Sequence, residues 1–124
     1  MAFRVELSPE AFEDLDAIAS YIKKQSSSEI AQRWFNGVMD AIASLKQMPA
    51  RCPVAPESED VGREVRVLVH GRKTRAYKIY YAISYETSSS GVVQVFHVRH
   101  WARKPISDDE LQELLDDSAA EESE

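Results

Sequence analysis

Residues 3–22 read FRVELSPEAFEDLDAIASYI, and a change of hydrophobic period inside this stretch sets the architecture. Over FRVEL, Phe3, Val5 and Leu7 fall on one side and Arg4 and Glu6 on the other, the two-residue alternation of a strand with one buried face. From Ser8 onward the period becomes helical. Ser8 offers a hydroxyl N-cap, and Pro9 fills the first helical position, where a missing N–H costs nothing. Glu10, Glu13 and Asp14 stand near the positive end of the helix dipole. Phe12, Leu15, Ile18 or Ala19, and Ile22 then recur at helical spacing, so one face of this helix must pack against something.

Moving outward, KKQSSSE interrupts the pattern, and Ser27 or Ser28 is placed to cap a second helix. Its apolar positions, Ile30 or Ala31, Trp34 or Phe35, Val38, Ile42 and Leu45, keep a 3.6-residue period until Met48-Pro49 ends it. Two amphipathic helices on a short polar link make a helical hairpin. Residues 49–62 hold three prolines and no periodicity, a loop. Three strand-like runs follow at 63–69, 76–85 and 92–98, separated by the basic turn HGRKTR and by ETSSSG, and short consecutive connections favour an antiparallel meander. Ser107 with Glu110 forms a capping-box pattern, and Leu111, Leu114 and Leu115 give a short apolar stripe before SAAEESE. The predicted fold is α+β: an N-terminal strand, a helical hairpin, a three-stranded antiparallel meander and a short C-terminal helix. The hairpin covers one sheet face and leaves the other face, or an edge, for function. Residues 1–107 are expected to form one domain, and 108–124 an acidic helix and tail that is partly disordered.

A chain of 124 residues can bury one core, and 44% hydrophobic with 29% charged residues is ordinary for a globular protein. Cys52 stands alone, which excludes an internal disulfide framework and a cysteine cluster for zinc, and the chain reads as cytoplasmic. No apolar stretch approaches the roughly 20 residues of a membrane span, and no secretory signal opens the sequence. The net charge of −6 conceals a strong asymmetry. Residues 108–124 carry nine acids and no base, whereas 63–104 carry nine bases and two acids. Positive charge is thus concentrated where an anionic partner would be met.

Four kinds of chemistry could draw on these residues. His97 and His100 are three apart and would point to opposite faces of a strand, with no acid near them in sequence, so no metal site and no cofactor are expected. Cys52, between Arg51 and Pro53, reads as a small residue under a proline-rich loop rather than a nucleophile. Glu10, Glu13, Asp14 and Asp16 read as dipole complements on a solvated face rather than as paired catalytic carboxylates. The remaining signal is basic and aromatic: Arg63, Arg66, Arg72, Lys73, Arg75, Lys78, Arg99, Arg103 and Lys104 interleave with Tyr77, Tyr80, Tyr81, Tyr85 and Trp101. Cations neutralise phosphate or carboxylate, and rings stack on bases or fill a partner's groove. Metal-free RNA cleavage would draw on His100, Lys78, Arg66 and Arg103, with arginine and lysine serving as charge stabilisers first.

The opening VELSPEAFEDLDAIASYI, then LKQMP, GREVRV, YKIYYAI and VVQVFHVRHWAR, in this order, resemble the RelE/ParE superfamily of bacterial type II toxins, often labelled plasmid-stabilisation proteins. The resemblance runs from residue 3 to about residue 104. It implies a small sheet with a helical hairpin, neutralised by a cognate antitoxin. In the RelE-like branch basic residues cut mRNA on the ribosome; the ParE-like branch poisons DNA gyrase. Lys78 falls at the arginine of the RelE-like YR(L/I)xY pattern, Arg103 at its late arginine, Arg66 at a strand lysine, and His100 at the histidine of the ParE-like VxHxxR pattern. The terminal tyrosine of the RelE-like branch has no counterpart, since KPISDDEL follows Arg103. The resemblance therefore favours a ParE-like gyrase inhibitor acting by binding. A ribosome-dependent endoribonuclease using Lys78, Arg66, Arg103 and His100 is the alternative, and a non-toxic binding module covered by its own acidic tail is a third. The residues expected to touch a partner or target are Arg63, Arg72, Lys73, Arg75, Tyr81, Arg99 and Trp101.

Overall fold

The computed structural model describes residues 2–56, 58, 63–72 and 75–101. The expected C-terminal helix and tail, together with Lys73, Arg103 and Lys104, lie outside the described residues. Strand β1 (Ala2–Leu7) leads into helices α1 (Pro9–Gln25) and α2 (Ser28–Ala43), and strands β2 (Arg66–His70), β3 (Tyr77–Thr87) and β4 (Ser90–His100) follow.

Both helix starts form where the local chemistry predicts. Ser8 is in extended conformation and its hydroxyl accepts the Ala11 N–H at 3.1 Å, while Pro9 occupies the first turn. Ser27 does the same for α2, accepting from the Ile30 N–H at 3.1 Å. Lys23 and Lys24 sit in the last turn of α1, where the dipole favours cations. The α2 register tightens into a 3-10 turn at Ser44–Lys46, and a second 3-10 turn, Pro49–Arg51, opens the proline-rich loop.

The sheet order is β1-β4-β3-β2. The last three strands form the expected antiparallel meander, and β1 lies parallel to β4, with Val5 opposite Val93 and Leu7 opposite Val95. At the start of β4, Gly91 has φ +155, and a Cβ there would stand 2.1 Å from the Ser84 carbonyl oxygen, so only glycine fits against the irregular pairing of Tyr85 and Thr87.

Alternation along β3 sorts the core into two. Ile79 and Tyr81 face the hairpin and pack with Leu15, Val38, Ile42, Leu45, Val93 and Val95. Tyr80 and Ala82 face away and join Phe96, Val65 and Ala55. Strand β4 is buried on both faces over most of its length, which explains why VVQVF reads as an apolar run rather than an alternation. A bulge at Phe96, where Tyr80 pairs with His97 but Tyr81 with Val95, lets neighbouring residues of β4 serve both cores.

Candidate functional site

Strand β1 stops at Leu7, opposite Val95, whereas β4 runs on to His100. Among the described residues none adds a strand beside 96–100 on that side, and α1 crosses beside them. Two side chains of α1 and its cap fasten the helix to this edge. The Ser8 hydroxyl donates to the Phe96 carbonyl at 3.3 Å, and the Asp14 carboxylate accepts the Val98 N–H at 3.0 Å. The same Asp14 oxygen lies 2.7 Å from His97 Nδ1. Asp14 is thus no solvated dipole complement: it is half-buried and satisfies a strand edge 84 residues away in sequence. His97, stacked over Tyr80 with ring centroids 6.0 Å apart, is committed to structure.

Beyond Asp14 the helix and the strand edge diverge and leave a cleft of about 970 Å³. Its floor is a run of rings: Trp34 meets Tyr77 edge-on at 5.2 Å and Tyr77 meets His100 at 5.3 Å, with Trp101 outside the lining, 6.1 Å from His100. Tyr21 and Ile30 are exposed and line the hairpin side. Arg33 from α2 and Arg75 from the turn before β3 bring positive charge to its lining. Arg75 is set by a tight turn: Gly71, at φ +98, could not carry a Cβ, which would fall 2.2 Å from the Arg75 carbonyl oxygen. The Trp34 indole Nε1 is shielded from solvent and has no acceptor among the described residues. Burial pushes the Tyr77 hydroxyl pKa above its ordinary value, with Tyr21 adding to the shift. An aromatic, apolar trough with cationic walls suits an amphipathic segment bearing acids.

Four residues along the same face of β3, the corresponding position is closed. Tyr81 is fully buried, and its hydroxyl donates to the Pro49 carbonyl. Arg66, paired with Tyr81 across β2 and β3, donates to the carbonyls of Ala50 (3.0 Å) and Cys52 and forms an ion pair with Glu64 at 2.8 Å. Burial pushes the Tyr81 hydroxyl well above its ordinary range, aided by the neighbouring Cys52 side chain and opposed by Arg66 and Arg51. Tyr81 and Arg66, expected at a contact or catalytic surface, instead clamp the proline-rich loop to the sheet.

Lys78 and Arg99 stand directly across from each other on β3 and β4, and Arg99 also reaches the lining of the cleft. Arg99, expected to be an exposed contact, is buried at 8% exposure. Arg63 is half-buried, and Arg72, Arg75 and Trp101 are exposed. The residues grouped from sequence as a cleavage set are consequently divided: His100 belongs to the cleft, Arg66 to the loop clamp and Lys78 to the far face, while Arg103 lies outside the described residues. Sequence reading missed the hairpin's share of the cleft. Trp34 was placed on the packing face of α2, and nothing local distinguishes a ring that fills a core from one that floors a trough. The exposed Tyr21 beside Ile22 carried the available signal, an aromatic outside the packing stripe.

Comparison with known proteins bears on the whole of this arrangement. The family model for the ParE toxin of the type II toxin-antitoxin system parDE matches residues 5–105. A solved structure of the chromosomal ParDE toxin-antitoxin system from P. aeruginosa superposes with TM-score 0.62 at 18% identity, covering 79% of this chain and 95% of that one. At that identity the likeness is one of fold. None of the curated proteins compared matches the chain.

Proposed function

The chain belongs to the ParE toxin family of type II toxin-antitoxin systems, and from that premise we propose that it acts by binding DNA gyrase rather than by cutting RNA. Its cognate antitoxin would neutralise it by seating an amphipathic, acidic segment in the cleft between α1, α2 and the end of β4. The observation that carries the binding reading is the dispersal of His100, Arg66 and Lys78 over three separate environments. Phosphoryl-transfer catalysis without a metal needs its proton carrier and its charge stabilisers around one phosphate, within about 3 Å of the reacting atoms. A guanidinium already donating to two loop carbonyls is not free to reach one. The cleft supports the antitoxin half of the proposal, because its rings supply anchoring area and Arg33 and Arg75 supply charge complementary to acids.

The test uses purified full-length protein in two assays. In a gyrase supercoiling assay, rising protein is expected to leave plasmid progressively relaxed or cleaved. In primer extension on an mRNA under translation, no new 5′ ends are expected. Unimpaired supercoiling at saturating protein would remove the gyrase reading, and new 5′ ends would put RNA cleavage in its place.

A further inference from the structure

The floor of the cleft is made of rings, and one of them presents a hydroxyl. Tyr77 is 9% exposed, its ring held between Trp34 on α2 and His100 on β4. Its hydroxyl has no hydrogen-bond partner among the described residues, whereas Tyr81 on the same strand face donates to Pro49. The Tyr77 hydroxyl is reached by solvent, unlike the shielded Trp34 Nε1 beside it. Tyr21, exposed across the cleft, is near enough to add to the upward shift of the Tyr77 pKa, so the two phenol ends face one space. A hydrocarbon anchor pressed onto this floor would strip water from the Tyr77 hydroxyl and leave it without a partner, which is costly. An anchor that brings its own acceptor avoids that loss.

The charge of the walls selects which acceptor. Arg33 from α2 and Arg75 from the turn before β3 are exposed on the lining, and Arg99 is a third guanidinium there. The acid of the lining, Asp14, is already engaged with the Val98 N–H and with His97. A carboxylate therefore meets a phenol donor on the floor and guanidinium charge on the walls, and hydrogen bonds to an ionised acceptor are the strong ones. We propose that the Tyr77 hydroxyl is the specificity-determining donor of this cleft, and that the antitoxin's segment seats a carboxylate side chain on it while the apolar part of that segment lies against Trp34 and Ile30. The inference rests on the antitoxin half of the reading above and not on gyrase as the target. It divides the acids of such a segment into two kinds. One is seated on the floor, and its removal is felt strongly; the others lie along the rim, where exposed charge pairs contribute little.

The probe is hydrocinnamate, a phenyl ring carrying a carboxylate on a short alkyl chain, set against its neutral isostere hydrocinnamamide. Full-length protein with tyrosine isotope-labelled at Cζ gives separate NMR signals for its tyrosines, and Tyr77→Phe assigns the one that matters. Titration with the acid is expected to move the Tyr77 signal and to leave that of Tyr85, exposed near the other end of β3, in place. The dissociation constant should be about 1–5 mM, as for a fragment of this size. The acid should bind about tenfold more tightly than the amide, and Tyr77→Phe, which keeps the ring, should weaken the acid about tenfold. Equal binding of acid and amide, a Tyr77 signal that does not move, equal movement of Tyr85, or unchanged affinity in Tyr77→Phe each overturns the proposal. A last arm adds the cognate antitoxin, which is expected to release the probe. An antitoxin that binds the protein and leaves hydrocinnamate at Tyr77 overturns the occupant named here, and the cleft as the antitoxin's seat, while the carboxylate site stands. Unimpaired supercoiling, by contrast, bears only on gyrase.

Discussion

Tyr77 and Tyr81 sit on the same face of the same strand, each opposite a basic residue, His100 for one and Arg66 for the other. One end is an open trough and the other is sealed. The difference lies in what the neighbouring loop presents. At the Tyr81 end, the Pro49–Arg51 turn and Cys52 aim backbone carbonyls at the sheet, and a phenol and a guanidinium satisfy them. At the Tyr77 end the adjacent element is the hairpin, whose backbone is already hydrogen-bonded within its helices, and the rings pack edge-on against one another. Similar residues thus become structural or available for recognition according to whether unpaired backbone groups reach them.

The largest expected effect that could break this contrast is on stability at the sealed end. Tyr81→Ala should lower unfolding free energy by about 3–5 kcal/mol, read as a shift of the urea midpoint, because a large core ring is lost and the Pro49 carbonyl is left without its donor. A loss below about 1 kcal/mol would mean the end is not sealed. Arg66→Ala should follow at about 2–3 kcal/mol, since two loop carbonyls lose a charged donor. His100→Ala, its counterpart across the comparison, should stay within about 0.5 kcal/mol of the parent, as expected at a partly open site.

At the open end the effect should appear in binding. Trp34→Ala is expected to weaken association with a peptide from the cognate antitoxin by about 2 kcal/mol, roughly thirtyfold, as for a ring at the centre of an interface. Titration calorimetry measures it, and an affinity unchanged within about twofold would remove the cleft as the antitoxin's seat.

The smallest effect is in alkali. Tyr81 keeps its proton in the fold well above the ordinary tyrosine value of about 10. The unfolded chain releases that proton near pH 10, so it binds fewer protons than the native state, and stability falls as pH rises. The contribution is complete below about pH 10 and lost progressively above it. Urea midpoints at pH 9 and pH 11 should therefore differ more in the parent than in Tyr81→Phe, and equal differences would contradict a buried, neutral phenol at the sealed end.

Legibility from sequence followed the range of the interaction. Ser8-Pro9, the Ser27 cap, most of the two helix stripes and the meander were readable, because capping and periodicity act within a few residues, whereas Phe12, placed on the packing face of the first helix, is exposed. Asp14 was misread for the opposite reason: its partners, Val98 and His97, are more than 80 residues away, and only a helix laid along an unpaired strand edge brings them into contact. Arg66 and Tyr81 were likewise grouped by residue type with other cations and rings, and their carbonyl partners in the proline-rich loop carry no side-chain signature at all.

Sequence alone therefore determined the kinds of element, their order, the faces they must bury and the family to which the pattern belongs. These properties arise from side-chain spacing along one segment. The tertiary structure alone decided that β1 lies beside β4, that β4 outruns it to leave an edge, and that one tyrosine is clamped while its neighbour floors a cleft. Each of those outcomes depends on which distant backbone groups remain unpaired after the sheet has closed, and that is a property of the assembled fold rather than of any stretch of chain.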